Sequence, residues 1–309
     1  MSLEQLKTED LLHRLPGVSG MLKINAPLAK YTWFRCGGAA QIFFQPSSID
    51  DLKQFMNRKP ADIKVTLMGA ASNLLVRDGG VPGVTIKLGK AAAEIIVKGR
   101  RIIAGAGANN VKVARAARDA GISGLEYLVG IPGSIGGSLR MNAGAYGYEI
   151  SDALVSAQVI DDTGNEKKIY AKNLDFSYRH CALAQNWFFI SAELEGTNDE
   201  IEIIQKRMDD IQTLRELTQP IRLRTGGSTF LNPGKTSAWK LIDDAGCRGL
   251  RNGDAMISPQ HCNFMINIGS ASANELESLG EDVRRRVKKH SGVDLEWEIM
   301  RIGYPSVSA

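Results

Sequence analysis

No apolar stretch in the sequence approaches the roughly 18 residues that a helix needs to cross a bilayer, so no membrane-spanning segment is expected. Cysteine is sparse. Cys36, Cys181, Cys247 and Cys262 stand far apart, with no Cys-x-x-Cys pair and no Cys/His spacing suited to zinc. They read as reduced, buried small side chains, and no metal is expected. An excess of one charge is also lacking: 38 basic and 34 acidic side chains leave a formal net charge of +4, too little for a surface devoted to nucleic acid. The basic run RRRVKKH at 284–290 therefore reads as a solvated helix face near a C-terminal dipole. The opening stretch MSLEQLKTEDLLHRLPG mixes acid and base and has no signal-peptide core, which points to a cytoplasmic, single-chain protein.

Glycine is what the chain has in excess: 32 of 309 residues, above the roughly 7% of average proteins. The surplus is clustered and not periodic, so it reads as loops where backbone approaches something closely. A hydrophobic content of 43% is enough to bury a core.

Strands are expected at Ala40–Phe44, Lys64–Met68, Val84–Leu88, Arg101–Gly105, Val155–Ile160, Trp187–Leu194, Asn263–Ile268 and Leu295–Ile302, all rich in β-branched and aromatic residues. Helices are expected between them. One follows the cap-like Ser47-Ser48-Ile49-Asp50 with Ile49, Leu52, Phe55 and Met56 on one face, and another spans Val111–Ala120 before Gly121. A third over Asp199–Leu217 carries Ile204, Met208, Ile211 and Leu214 as a stripe; a fourth opens on the capping box Ser272–Glu275 with Leu276, Leu279, Val283 and Val287 inward. The fold class is mixed α+β. The natural divisions are an N-terminal extension 1–20, a glycine-rich domain 21–200, a connecting helix 201–217 and a smaller domain 218–304.

Three glycine-rich loops stand out: 67–75 (LMGAASNLL), 105–110 (GAGANN) and 130–147 (GIPGSIGGSLRMNAGAYG). Glycine lets backbone N–H groups converge on an anion, and small Ser or Asn side chains add donors, so a diphosphate is the natural occupant. Any one loop alone reads better as a tight turn; three in one domain favour a dinucleotide. The Rossmann fingerprint fails, because Asn110 stands at the sixth position of the would-be GxGxxG and no ribose-binding acid follows at the right spacing. No P-loop sequence occurs.

Thr32-Trp33-Phe34-Arg35-Cys36-Gly37-Gly38-Ala39-Ala40, the loop at 69–75, GLEYLVGIPGSIGG at 124–137 and MNAGAYG at 141–147 together resemble the bacterial UDP-N-acetylenolpyruvoylglucosamine reductases, the MurB family. Tyr178-Arg179, GSTFLNP at 227–233, SPQHCNFMIN at 258–267 and Leu295-Glu296-Trp297-Glu298 continue in that family's order, from about residue 20 to 303. The resemblance implies a two-lobed FAD-binding domain of the vanillyl-alcohol-oxidase/PCMH type over 21–200 and a substrate domain over 218–304. With no long insertion after Arg179, it resembles the shorter type II form. Three departures stand out: Ala71 replaces a common glycine, Leu231 a frequent lysine, and His180-Cys181 follows Arg179 where a small or acidic residue and then serine are usual.

The implied reaction is NADPH-driven and FAD-dependent: the enolpyruvyl ether of UDP-N-acetylglucosamine becomes UDP-N-acetylmuramate, with hydride to C3 and a proton to C2. The resemblance makes Ser228 the proton donor, Arg179 the grip on the substrate carboxylate and Glu298 a hydrogen-bond donor to developing charge if burial raises its pKa. Strand alternation puts Glu296 and Glu298 on one face and cannot choose between them; the family pattern picks Glu298. FAD contacts are implied for Gly69, Ala70, Ala71, Ser72, Asn73, Leu74, Arg77, Gly130, Ile131, Pro132, Gly133, Ser134, Gly136, Gly137, Asn142, Gly144 and Ala145, with Arg35 a further candidate. Substrate contacts fall to Tyr178, Asn232, Lys240, Arg248 and His261, the last equally readable as a structural histidine. A monomer with small-molecule partners only is expected. Two rivals stay open: a PCMH-type oxidase, some of which attach flavin covalently through His or Cys (Cys36 lies in the first motif), and a non-catalytic flavin or sugar-nucleotide binder.

Overall fold

The computed structural model describes residues 3–234 and 236–306, with side chains from Thr8 onward. The chain forms two compact units that interleave along the sequence. The first comprises Met1–Asn25, Gln41–Ala70 and Gly83–Thr213; the second comprises Ala26–Ala40, Ala71–Pro82 and Leu214–Ala309. The division falls inside the helix Ile201–Thr218, close to the expected connector. It differs from the linear plan because two short N-terminal segments, 26–40 and 71–82, pack with the C-terminal part.

The first unit is built on two sheets. One has four strands in the order Met21–Pro27, Ala39–Gln45, Val81–Lys87, Val65–Met68, the last pair parallel with Val65 opposite Val84 and Met68 opposite Lys87. The other has five strands in the order Glu166–Tyr170, Leu154–Asp161, Trp187–Glu195, Arg101–Gly105, Ile95–Lys98, with antiparallel neighbours. Alternating burial along Trp187–Glu195 sends Phe189 and other apolar residues into one continuous core with Ile102, Val113, Leu128 and Leu139. The helix Ile49–Arg58 starts where Ser48 Oγ accepts from the Asp51 N–H at 3.1 Å, and it buries Leu52, Phe55 and Met56. In the connecting helix Ile204 and Met208 are buried as expected, whereas Leu214 is 47% exposed and leaves the inward stripe.

The second unit has its own core and a four-stranded antiparallel sheet in the order Arg224–Ser228, Phe264–Asn267, Ala255–Ile257, Arg251–Asn252. Phe34, Cys36 and Leu75, from the two N-terminal segments, are part of that core alongside Phe230, Leu276, Leu279 and Val283. Polar contacts fix them there. The Asn267 amide donates to the Phe34 carbonyl at 2.8 Å, and the Asp78 carboxylate accepts from the Ala273 and Asn274 N–H groups at 3.0 and 2.8 Å. The helix Ala273–Ser291 has the expected reciprocal cap between Ser272 and Glu275 and ends on Gly292 at φ +76°. The expected strand Leu295–Ile302 is shorter than its pattern: only Met300–Ile302 is regular, pairing in parallel with Leu74–Val76. Its start makes one isolated bridge, Trp297 to Phe230. Among the described residues no helix is long and apolar enough to cross a membrane.

Candidate functional site

In the first unit, the strand Val65–Met68 delivers Gly69 and Ala70 at its carboxyl end. A Cβ on Gly69 would stand 2.7 Å from Ser134 Oγ, so any larger residue would have to displace that hydroxyl. Ser134 is 4% exposed and its Oγ has no hydrogen-bond partner. A buried hydroxyl without a partner costs about 1–3 kcal/mol, a cost that an anion accepting its proton would offset. A glycine that lets a buried, unsatisfied hydroxyl lie against the loop fits a phosphate oxygen as that hydroxyl's acceptor, and so fits the FAD diphosphate. Lys87 was not anticipated from the sequence. It lies opposite Met68, and its Nζ donates to the Gly69 carbonyl at 2.9 Å. Its only sequence signal is a lone lysine closing an apolar strand.

The second glycine-rich loop is a brace and not a cradle. Cβ atoms at Gly105 and Gly107 would meet the Ala92 and Gly89 carbonyls at 2.2 and 2.7 Å. Asn109 caps the helix Asn110–Asp119, and the buried Asn110 amide donates to Ile131 O at 3.0 Å and Ser138 Oγ at 2.9 Å. Parts of the third loop are likewise committed to packing. The Gly136 N–H donates to Ala106 O at 2.8 Å, and a Cβ on Gly130 would strike the Tyr146 ring at 2.4 Å. Gly136 and Gly130 therefore seat the loop. Pro132 and Gly137 are not buried, Ile131 and Gly133 are, and Gly133 has φ +138°.

Asn142, expected on the flavin side, is fully buried and committed elsewhere. Its Nδ2 donates to Glu149 Oε2 at 2.6 Å and to Ser177 O at 3.1 Å, and its Oδ1 accepts from the Ser151 N–H at 3.2 Å. Asn142 thus clamps the turn bearing Tyr178 and Arg179. In that turn Ser177 and His180 exchange backbone hydrogen bonds at 3.1 and 3.0 Å, and Arg179 sits at φ +54°, a left-handed conformation that is uncommon for a residue with a Cβ. The Arg179 Nη2 donates to the Gly144 carbonyl at 2.9 Å, and its guanidinium carbon lies 4.9 Å from the Tyr178 ring centroid. Gly144 and Ala145 form a short hairpin strand with Tyr148 and Glu149.

In the second unit, the structure brings Ser228 and Glu298 together through the residue between Ser228 and Phe230. The Thr229 carbonyl accepts from the Glu298 N–H at 2.9 Å. Gly226 and Gly227 form a bulge before Ser228: Gly227 has φ +82°, and a Cβ on Gly226 would lie 2.5 Å from the Phe34 ring. Two further residues brace this pair. Asn73, expected to contact FAD, donates its amide to the Glu298 carbonyl at 3.0 Å. Asn263, not singled out from the sequence although it lies in the SPQHCNFMIN segment, accepts from the Phe230 N–H at 3.0 Å and donates to the Phe230 carbonyl at 2.8 Å. Ser228 and Glu298 are half-buried and Glu296 is exposed.

Ala71 adopts φ +53° and is 8% exposed, so the alanine that replaces a common glycine occupies a left-handed position. Ala71→Gly is expected to stabilise the protein by about 1 kcal/mol, a rise in Tm of about 2–4 °C; a lower Tm in a thermal melt would contradict this. Ser72 is half-buried, and Leu74 opens the short strand Leu74–Val76. Arg77, expected at FAD, grips Glu277 with Nε and Nη2 at 2.9 and 2.7 Å, and Arg301 joins the same carboxylate at 2.9 Å. Its guanidinium is committed to a structural ion pair. Arg35 is exposed at φ +58°, with Nη1 donating to Lys30 O at 2.6 Å. Burial pushes the neighbouring Cys36 thiol up to about 12, so it stays protonated at neutral pH and is a poor nucleophile for covalent flavin attachment.

Of the expected substrate residues, Asn232 accepts from the Ala238 N–H at 2.9 Å, and Lys240 is exposed on the helix that follows. Arg248 is taken up by Asp243, with contacts of 2.8 and 2.5 Å, and donates also to the Pro259 carbonyl. His261 packs edge-on to Phe264 at 4.8 Å and near Trp239 at 6.3 Å, and its Nδ1 accepts from the Asn263 N–H at 3.3 Å. Burial holds its pKa below 6.5, with Arg248 acting in the same direction. The unfolded chain therefore takes up this proton first, and stability is lost as pH falls below 6.5. His261→Phe is expected to flatten the decline in denaturation midpoint between about pH 7 and about pH 5; an unchanged slope would contradict it.

Comparison with known proteins agrees with this architecture. Residues 40–170 match the family described as FAD binding domain, and residues 219–302 match UDP-N-acetylenolpyruvoylglucosamine reductase, C-terminal domain. The UDP-N-acetylenolpyruvoylglucosamine reductase of Parvibaculum lavamentivorans is 53% identical over 296 residues, 96% of each chain. That of Azorhizobium caulinodans is 54% identical over 292 residues, 94% of this chain and 95% of that one. The crystal structure of the reductase (MurB) from Thermus caldophilus superposes with a TM-score of 0.81 at 34% identity, covering 92% of this chain and all of that one. A PCMH-type FAD-binding domain followed by the reductase-specific C-terminal domain, matched across nearly the whole length, places this chain in the UDP-N-acetylenolpyruvoylglucosamine reductase (MurB) family.

Proposed function

We propose that the chain reduces the enolpyruvyl ether of UDP-N-acetylglucosamine to UDP-N-acetylmuramate, a step in peptidoglycan precursor synthesis, using FAD and NADPH. The observation that carries the reading is the Thr229 bridge, which delivers Ser228 and Glu298 on adjoining backbone (2.9 Å from Glu298 N–H to Thr229 O). FAD held by this domain and reduced by NADPH would supply the hydride that C3 of the enolpyruvyl group receives. Negative charge then grows at C2 and in the attached carboxylate. Ser228 gives its hydroxyl proton to C2, a task for which a positioned hydroxyl suffices because the carbanion is strongly basic. Arg179 holds the carboxylate, since a guanidinium stays charged and can make paired hydrogen bonds. Its backbone turn is fixed by Asn142 and its guanidinium is steadied on Gly144 O and the Tyr178 ring. Glu298, in its protonated form, donates a hydrogen bond to the developing charge.

For the cofactor, Gly69, Ala70 and Ser134 are the residues we assign to the diphosphate, with residues 21–200 as the FAD domain. Residues 218–304 then take the sugar nucleotide, with Asn232 and Lys240 the exposed candidates that, unlike Arg248, are not engaged in an ion pair with Asp243. A monomer acting in the cytoplasm, where its charged substrates are held by the membrane barrier, completes the reading. The test is anaerobic: NADPH should bleach the flavin band near roughly 450 nm, and the enolpyruvyl substrate should restore it. Flavin that NADPH reduces but the enolpyruvyl ether does not reoxidise would overturn the substrate assignment.

A further inference from the structure

We propose that Lys87 is a positioning residue for the flavin diphosphate: its ammonium anchors the Gly69–Ala70 peptide so that the Ala70 N–H is turned toward the anion. The inference rests on the proposed assignment of the Gly69 loop to FAD. Lys87 ends its strand directly opposite Met68, the residue before the loop, and donates to the Gly69 carbonyl at 2.9 Å. A trans peptide is planar, and its C=O and N–H point in opposite directions. Holding Gly69 O at the lysine therefore fixes the Ala70 N–H on the other side of the same peptide. Next to that peptide, Gly69 leaves room for the buried, unpartnered Ser134 hydroxyl, 2.7 Å from where a Cβ would stand. One peptide and one hydroxyl thus form a fixed pair of donors.

A neutral donor could hold a carbonyl, but an ammonium does two things more. The charge-assisted bond is stronger than a neutral one. A cation within one peptide of a doubly charged ligand, in a half-buried setting where water screens poorly, also attracts it directly. Burial pulls the Lys87 pKa down, so holding this group charged in the fold has a cost that a bound diphosphate would offset.

The test uses the full-length chain as wild type, Lys87→Met, Lys87→Arg and Gly69→Val, read by the FAD dissociation constant from flavin fluorescence and by Tm without FAD. Lys87→Met should bind FAD about tenfold or more weakly with its flavin-free Tm held, and Lys87→Arg should stay within about threefold of wild type. Equal losses in Met and Arg, a Met variant within about twofold of wild type, or a flavin-free Tm that falls with the affinity would each overturn the proposal. Gly69→Val separates the two layers. If it loses FAD while Lys87→Met does not, the lysine assignment alone fails; if it binds FAD normally, the loop assignment fails and takes the lysine with it.

Discussion

Replacing Ser228 by alanine should leave reduction of the bound flavin by NADPH at its normal rate and slow reoxidation by the enolpyruvyl substrate by roughly a hundred- to ten-thousandfold, the span of a single positioned proton donor. The expectation is sharp because the backbone there does not depend on the hydroxyl. Gly227 at φ +82° and the contact of Gly226 with the Phe34 ring set the bulge, and Thr229 is tied down through its amide, carbonyl and hydroxyl. Alanine deletes one oxygen from a frame that remains. Stopped-flow absorbance of the two half-reactions separates the steps, and reoxidation by dioxygen serves as a control for an intact flavin. Wild-type rates in both half-reactions would remove Ser228 from the chemistry.

The second large effect is expected at Asn263. Its side chain satisfies both the N–H and the C=O of Phe230, which is fully buried, and its backbone carbonyl accepts from Thr229 N–H at 2.7 Å. Asn263→Ala strands two buried backbone groups, each worth about 1–3 kcal/mol, so a loss of about 2–5 kcal/mol is expected, and a fall in Tm of about 5–15 °C. Asn263→Asp keeps the acceptor for Phe230 N–H but has no donor for the carbonyl, and should fall between alanine and wild type. Because Phe230 follows the Ser228-Thr229 pair, the flavin reoxidation rate should drop in the same order. A stable alanine variant with a normal rate would show that the asparagine does not support the site.

The sequence makes plain those elements whose determinants are local. The capping box at Ser272–Glu275, the αL stop at Gly292 and the inward Leu276, Leu279, Val283 and Val287 all lie within one helix, and all are present. The strands at 101–105, 154–161 and 187–195 follow from β-branched and aromatic runs in the same way. The contacts that the sequence hides share a cause, which is distance along the chain. Nothing near Arg77 announces Glu277, nothing near Asn73 announces the Glu298 carbonyl, and nothing near Phe34 announces Asn267. The three glycine loops look alike in composition, yet the second is filled by the Gly89 and Ala92 carbonyls while the first leaves a serine hydroxyl unsatisfied. Only packing distinguishes a loop that leaves a buried donor unsatisfied from one braced by backbone carbonyls. Arg179, Ser228 and Glu298 are ordinary side chains by composition, and the roles proposed for them rest on the motif order in which they stand.

The membership of Phe34, Cys36 and Leu75 in the second unit's core has a consequence for biogenesis. A nascent chain emerges from the ribosome N-terminus first, so these segments are exposed long before the helix Ala273–Ser291 that will cover them has been translated. The second unit is thus closed to co-translational completion: its earliest-made apolar residues must await its latest-made ones, and a recombinant fragment starting at 218 would carry a core with three of its own plugs missing.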